Sequence, residues 1–327
     1  MQYSRHPSAD GPIPVIDIAP FRTRDPAARD LIAARVRAAC EDTGFFLVSG
    51  HGFSRTLLTR IGTASRGFFD LPLEEKRRVG ESGPVPGGLM YFGHGAEALG
   101  ATLGAESIGD IKETLDFGPR FHGDAWPREP ADLEPAWRAC YEAMSDLART
   151  LRHVFARALD LDADSFDRLF EGHLSSLRVI NYPEQTRPPL SGQLRAGAHS
   201  DYGVLTILAT DDAPGGLEVL NRDGSWCAVP HVAGTFVVNI GDAMMRWTDD
   251  HWVSTQHRVV NPPHDSTRPT RRQSIAYFHN LPRDATIECL EPFRQAGREP
   301  KYPPITYGEY AALRYRQAHG DDKNLEL

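Results

Sequence analysis

The chain of 327 residues carries 36 Lys and Arg against 44 Asp and Glu, a formal net charge of −8, and 40% of its residues are hydrophobic. That length and apolar content support a sizeable core in one large domain or two small ones, while the acidic balance and the lack of a long Lys/Arg run exclude a general nucleic-acid surface, which needs a basic field. No apolar run reaches membrane-span length, the first 17 residues lack the charged-then-apolar order of a secretory leader, and Cys40, Cys140, Cys227 and Cys289 are scattered without a C-x-x-C, so the expectation is a soluble cytoplasmic protein with neither membrane nor nucleic-acid partner.

Along the chain, Ile13 to Ile18 alternates and predicts a short strand. Asp25-Pro26 predicts a helix start, with Asp as the cap and Pro in the first helical position; Ile32, Val36 and Ala39 mark its apolar face and Gly44 its end. Gly44 to Ser49 is a second strand, and Ser54 caps a helix with Leu57, Leu58, Ile61, Ala64 and Phe68 on one face. Residues 80–110, rich in Gly, Pro and Ser, read as a long loop. Leu133 to Leu159 reads as a long helix with Trp137, Tyr141, Met144, Ala148, Leu151 and Phe155 on one stripe. After Ser175 short strands take over: Leu177–Tyr182, Val204–Thr210, Leu217–Leu220, Thr235–Ile240, His257–Val260 and Gln273–His279, parted by turns such as Asn221-Arg222-Asp223-Gly224. Many short strands at regular spacing predict a sandwich or barrel, and no internal repeat is present.

Chemistry concentrates in this second half. His199-Ser200-Asp201 precedes the apolar run Val204-Leu205-Thr206-Ile207-Leu208. In an extended segment residues i and i+2 share a face, so His199 and Asp201 can converge on one metal. With His257 from a later strand they form the 2-His-1-carboxylate set that binds iron on one face and leaves the other open. Arg272-Gln273-Ser274 opens a strand in which Arg272 and Ser274 share a face by the same period. A guanidinium fork and a nearby hydroxyl suit a carboxylate, each charge-assisted bond contributing about 1.5–3 kcal/mol.

At this point the chain resembles the isopenicillin N synthase-like family of Fe(II)/2-oxoglutarate-dependent dioxygenases. The resemblance runs over nearly the whole chain. It is carried by Ile13-Pro14-Val15-Ile16-Asp17, Thr43-Gly44-Phe45-Phe46-Leu47-Val48, Phe68-Phe69-Asp70-Leu71-Pro72 and Lys112-Glu113-Thr114-Leu115-Asp116-Phe117-Gly118 in the first half. In the second half it is carried by Leu177-Arg178-Val179-Ile180-Asn181-Tyr182-Pro183, Gly215-Gly216-Leu217-Glu218-Val219, Val237-Val238-Asn239-Ile240-Gly241-Asp242 and Ser254-Thr255-Gln256-His257-Arg258-Val259-Val260. The resemblance implies a mainly β fold with flanking α-helices on a double-stranded β-helix, the cupin-like jelly roll. It implies one integrated unit over 1–327: a helix-rich region at 1–174, the jelly-roll core with the iron site at 175–285, and a C-terminal extension at 286–327. Iron falls to His199, Asp201 and His257, the 2-oxoglutarate carboxylate to Arg272 and Ser274, and a further 2-oxoglutarate contact to Tyr182, by its place before Pro183.

The activity so implied couples oxidative decarboxylation of 2-oxoglutarate, with O2, to hydroxylation, desaturation or cyclisation of a small molecule of the secondary-metabolite kind, releasing succinate and carbon dioxide. Asp201 argues against halogenation, because related halogenases lack that carboxylate. Two alternatives stay open on sequence. One is an oxidase like isopenicillin N synthase, which uses no 2-oxoglutarate and binds substrate through its Arg-x-Ser. The other is a non-catalytic binding protein on the same scaffold, which the intact ligand set disfavours. A monomer is the default.

Other residues have plainer readings. His231, His251 and His264 are expected at the solvent, His279 in a structural role, and His51 in a turn. Asp242 is expected in a turn or cap, and Asn239 in support of the site or of the fold alone. Arg271 should point away from Arg272, and Arg195 reads as a surface arginine. Met90-Tyr91-Phe92 reads as a cover over the iron, and Met244, Met245 and Trp247 as pocket lining or core.

Overall fold

The structure, a computed structural model, describes residues 13–23, 25–79, 88–104, 108–119, 121, 126–294 and 296–319. The termini and positions 80–87 and 105–107 of the predicted loop lie outside the described residues. In chain order the strands are β1 (Val15–Asp17), β2 (Phe45–Ser49), β3 (Leu89–Phe92), β4 (Glu113–Phe117), β5 (Ser176–Tyr182), β6 (Ala196–His199) and β7 (Leu205–Thr210). They continue as β8 (Gly216–Leu220), β9 (Trp226–Ala228), β10 (Phe236–Ile240), β11 (His257–Val260), β12 (Arg272–His279), β13 (Thr286–Ile287) and β14 (Ile305–Thr306). The helices are α1 (Pro26–Asp42), α2 (Arg55–Phe69), α3 (Leu73–Arg77), α4 (Leu133–Ala158), α5 (Ala163–Arg168), α6 (Asp242–Trp247) and α7 (Tyr307–His319).

Local chemistry sets the boundaries. The Asp25 carboxylate accepts from the Ala27 N–H at 3.0 Å, and Pro26 fills the first position of α1; such a cap contributes about 1 kcal/mol. Ser54 caps α2 through the Leu57 N–H at 3.2 Å. Gly44 leaves α1 with φ of 70° and returns its N–H to Ala39. A side chain there would collide with the Val253 carbonyl, so the tight entry into β2 requires glycine.

A large sheet runs β1-β2-β10-β7-β12-β5-β4-β3, antiparallel except for β1 with β2, and a smaller one runs β6-β11-β8-β9. They face one another as a jelly roll. The large sheet is two-faced. On β12, Ile275 and Tyr277 join the core shared with the helices, while Arg272, Ser274, Ala276 and Phe278 look into the space between the sheets. Helices α1, α2 and α4 cover the outer face, where Tyr277 OH meets Ser145 Oγ of α4 at 2.7 Å. The stripe expected on α4 is the buried one: Trp137, Met144, Ala148, Leu151 and Phe155 are all in the core.

The expected long loop at 80–110 is not a single loop. Leu89–Phe92 is the edge strand β3, paired with β4, and Leu99–Leu103 forms a 3-10 turn. The cover over the iron expected of Met90-Tyr91-Phe92 is therefore a strand: Tyr91 OH donates to Glu113 Oε2 at 2.6 Å, and the Phe92 ring lies 5.9 Å from the Arg178 guanidinium. Flanking Gly and Pro hid a strand of four residues. β6, Ala-Gly-Ala-His, was missed because it holds no branched or aromatic residue that signals a strand. Met244 and Trp247 pack in the core.

His279 closes the interior end of β12. Arg152 Nη1 can only donate, so its 3.2 Å contact makes His279 Nε2 an acceptor, and Nδ1–H then donates to Ser175 Oγ at 2.9 Å. The ring is also stacked on Phe170 at 4.7 Å. Burial, then the Arg152 charge, holds its pKa well below the ordinary histidine value. In the unfolded chain the same group titrates near about 6.5. The unfolded state thus binds the extra proton first as pH falls, and the stability tied to neutral His279 is present above about 6.5 and lost below it. Denaturant unfolding of wild type should show stability declining from pH 7.5 to 5.5, and His279→Gln should flatten that slope. An equal slope in the variant would remove His279 as its source.

Candidate metal centre and its two cavities

β6 and β11 pair antiparallel with His199 directly opposite His257. Their ring centroids are 4.3 Å apart. His199 Nδ1–H donates to the Gly197 carbonyl at 2.8 Å and His257 Nδ1–H to the Thr255 carbonyl at 3.1 Å. A carbonyl can only accept, so each Nε2 is left with its lone pair pointing away from the tether. Asp201 Oδ1 lies 4.0 Å from His199 Nε2 and 3.7 Å from His257 Nε2, and one ligand atom from each of the three lies within 4.8 Å of the others.

The sequence argument for Asp201 needs correction in its geometry. The residue is not the next-but-one position of a strand, because β6 ends at His199. Asp201 sits in the following turn, which α6 holds from beneath: Asp242 N–H bonds the Asp201 carbonyl at 2.8 Å and Ala243 N–H the Gly203 carbonyl at 3.1 Å. Gly241 passes so close to Gly203 and Asp201 that a side chain there would meet their carbonyls. Asp201 Oδ2 accepts from Thr206 Oγ1 at 2.6 Å and from Asn239 Nδ2 at 2.7 Å. Burial opposes its charge, but the two histidines and these hydrogen bonds prevail and hold the carboxyl below its usual range. Burial, reinforced by His257, pushes His199 down, so it stands as a neutral imidazole at pH 7.

Asp242 does more than begin a helix. Its carboxylate accepts from Ser254 Oγ at 2.7 Å, Tyr310 OH at 2.7 Å and Ser200 Oγ at 3.3 Å. Arg314 Nη2 donates to Ser200 Oγ at 3.1 Å. Helix α7 is therefore tied to the residue between His199 and Asp201.

The trio stands between two cavities. The inner one, between the sheets, is walled by Tyr182, Arg272, Ser274, Thr210 and Lys112. Tyr182 and Arg272 are directly opposed across β5 and β12. Arg272 Nη1 donates to the Asp211 and Ala213 carbonyls at 2.9 and 3.3 Å and lies 3.3 Å from the Asp211 carboxylate, but its Nε is buried without a partner. Arg271 faces the other way, to Asp70 at 2.7 Å and Asn181 at 3.1 Å. The outer cavity, toward α7, is walled by Glu97, Ser176, Arg178, Tyr202, Phe278 and Tyr315.

Arg195 is not at the surface as expected. It is 1% exposed, donates to Pro214 O at 2.8 Å and to Thr270 O, and lies over the Tyr182 ring. Burial pulls its pKa to about 10. Sequence reasoning missed Thr206, Lys112, Glu97, Ser176 and Arg178 as site residues. The signal was there for Lys112-Glu113-Thr114-Leu115-Asp116: the two-residue period puts Thr114 and Asp116 on one face of β4, opposite Ile180 and Arg178, with Lys112 just ahead of the strand in the same alternation. His231, His251 and His264 are exposed.

Two family models match the chain: the N-terminal region of non-haem dioxygenases in morphine synthesis over residues 13–139, and the 2OG-Fe(II) oxygenase superfamily over residues 174–281. The 2-oxoglutarate-Fe(II) type oxidoreductase hxnY of Emericella nidulans is 34% identical, over 94% of this chain and 90% of its own. A homoarginine-6-hydroxylase of Oryza sativa subsp. japonica is 32% identical, over 91% and 94%. The crystal structure of a full-length Neurospora crassa protein in complex with alpha-KG and thymine superposes with a TM-score of 0.80 at 30% identity, over 93% of this chain and 96% of that one.

The contacts to Asp201 carry a prediction. Asn239→Ala or Thr206→Val should each weaken divalent-metal affinity about 10–100-fold, the usual effect of removing a ligand's hydrogen-bond partner. Metal titration of the purified variants reads it; wild-type affinity in both would show that these bonds do not set the ligand.

Proposed function

The chain belongs to the 2OG-Fe(II) oxygenase superfamily, and from that premise we propose that His199, Asp201 and His257 are its iron ligands and that Arg272, Ser274 and Tyr182 hold 2-oxoglutarate in the inner cavity. The enzyme is an Fe(II)- and 2-oxoglutarate-dependent oxygenase that oxidises a small molecule. Among the described residues no helix is long and apolar enough to cross a membrane.

The donor set fits the metal. Two imidazole nitrogens and one carboxylate suit Fe(II) and would leave part of its coordination sphere to other ligands. The inner cavity fits the co-substrate. Arg272 Nε is a buried donor with no partner, and an unmade buried bond of this kind costs about 1–3 kcal/mol. A carboxylate from 2-oxoglutarate would take that bond, with the Ser274 hydroxyl on the same strand face. This orphaned guanidinium nitrogen is the observation that supports a carboxylate guest at Arg272, and the 2-oxoglutarate-Fe(II) relatives favour 2-oxoglutarate as that guest over an oxidase that needs none.

Bound together, Fe(II) and 2-oxoglutarate supply the O2-dependent oxidising chemistry, with succinate and carbon dioxide as products. The protein's own groups prepare that chemistry. Gly197 and Thr255 carbonyls fix the imidazole tautomers, Asn239 and Thr206 hold one oxygen of Asp201 so that the other faces the histidines, and the apolar wall of Leu208, Leu217 and Val259 keeps bulk water from the inner cavity. Thymine in the Neurospora crassa structure supports a substrate of small-molecule size. We place the working unit as a cytoplasmic monomer, consistent with four free cysteines, and as one integrated body, since cavity walls come from residues 97–112, 176–278 and 307–315.

The test is an anaerobic titration of 2-oxoglutarate into Fe(II)-loaded protein, watching for a visible charge-transfer band. Wild type should give a saturable band. Arg272→Leu should retain iron but need about 10–100-fold more 2-oxoglutarate, as loss of charge-assisted bonds worth about 1.5–3 kcal/mol predicts. His199→Ala and Asp201→Ala should lose iron. Unchanged half-saturation in Arg272→Leu would move the co-substrate elsewhere, and full iron content in His199→Ala would sink the metal assignment.

A further inference from the structure

The outer cavity differs in charge from the inner one. Beside the trio, its charged wall is Glu97 and Arg178, both buried, the second shared with the inner cavity. Glu97 lies 2.9 Å from Arg178 Nη1 through Oε1 and 3.0 Å from Lys112 Nζ through Oε2. Arg178 Nε also donates to Asp116 at 2.6 Å, and Lys112 Nζ reaches Asp110 at 2.9 Å. Two cations thus face three carboxylates, a net charge of −1, and each of the five groups has an opposite-charge partner inside the protein. A carboxylate guest would meet no unmatched cation. A cationic guest would have to compete with Lys112 and Arg178 for Glu97. Breaking a buried pair leaves a desolvated charge behind, so neither sign is favoured. In the inner cavity, by contrast, Arg272 keeps an unpartnered nitrogen.

The rest of the wall is aromatic. Tyr202 and Tyr315 stand edge to face at 5.8 Å, with Phe278 on the opposite strand wall. Among them is Ser176, fully buried, whose Oγ has no hydrogen-bond partner among the described residues. On β5 it shares its face with Arg178 two positions on, and it lies directly opposite Phe278 of β12. A hydroxyl kept dry and unbonded at a cavity wall is a site for a guest's hydrogen bond.

We propose that the outer cavity takes the primary substrate, and that this substrate is an uncharged, ring-containing small molecule whose carbonyl-type oxygen accepts from Ser176 Oγ while its ring packs on Phe278, Tyr202 and Tyr315. The inference rests on the reading of the trio and inner cavity as the iron and 2-oxoglutarate site.

An isosteric series tests it: benzamide, benzoate and benzamidine share one ring and carry charges of zero, minus one and plus one. Each is titrated anaerobically into the Fe(II) protein at saturating 2-oxoglutarate, so that the Arg272 cavity is filled, and perturbation of the charge-transfer band is followed. Benzamide should perturb it saturably and bind at least about 10-fold more tightly than either charged probe, a difference of roughly 1.4 kcal/mol. Ser176→Ala should weaken benzamide about 5–10-fold, the worth of one neutral hydrogen bond, without lowering the melting temperature, because the hydroxyl it removes bonds nothing in the protein. Equal or tighter binding of a charged probe, no response to benzamide, or wild-type benzamide affinity in Ser176→Ala would each overturn the inference while leaving the iron and 2-oxoglutarate reading intact. Absence of the band before any probe is added would overturn that reading and this inference with it.

Discussion

A carboxylate buried against two imidazoles is the constraint around which this structure is arranged. Asp201 is charged in a setting that disfavours charge, and it stays so because the imidazoles lie beside one oxygen and the other accepts two hydrogen bonds. Thr206 from β7 and Asn239 from β10 take Oδ2, while His199 and His257 face Oδ1. Those partners come from both sheets, so the charge can be satisfied only once the two sheets have closed. Removing one partner leaves a buried charge under-bonded, which costs more than the bond itself returns in a solvated setting. The site is therefore part of what specifies the closed roll, as well as something the roll carries.

The same electrostatic logic separates the two cavities. Behind the trio, Arg272 is half spent on Asp211 and the backbone and keeps a buried donor unused. In front of it, Glu97 is bound up with Arg178, which also holds Asp116, and with Lys112 of the inner wall, which also holds Asp110. One compartment thus keeps a free donor for an anionic guest, and the other has its charged groups paired with one another. That division suits a scaffold in which one co-substrate is constant and the oxidised molecule differs between relatives.

Much of this was legible in the residues, for identifiable reasons. The Arg-x-Ser lies in a strand whose alternation is strong, His199-Ser200-Asp201 stands out as a motif although its own strand is silent, and caps such as Asp25 and Ser54 act locally, so the sequence alone carries them. What escaped depends on partners distant in sequence. Arg195 looks like a solvent residue until Pro214 and Thr270 close over it. Ser176 carries no local signal at all, since its interest lies in having nothing to bond. The turn that aims Asp201 is set by Gly241 and the first N–H groups of α6, some forty residues on, and strand periodicity pointed to Asp201 by a route the backbone does not take.

The C-terminal helix then becomes part of the active-site architecture. Tyr310 and Arg314 grip Asp242 and Ser200, so α7 bonds to the segment that carries two of the proposed ligands. Tyr307 and Tyr315 of the same helix line the outer cavity, and the Ala318 carbonyl accepts from Ala98 N–H beside Glu97. A helix that contacts the ligand loop at one face and the cavity at another cannot shift without disturbing both. The wall of the outer cavity and the trio thus share one hydrogen-bond network through Asp242, a carboxylate with three hydroxyl donors and no place in the trio itself.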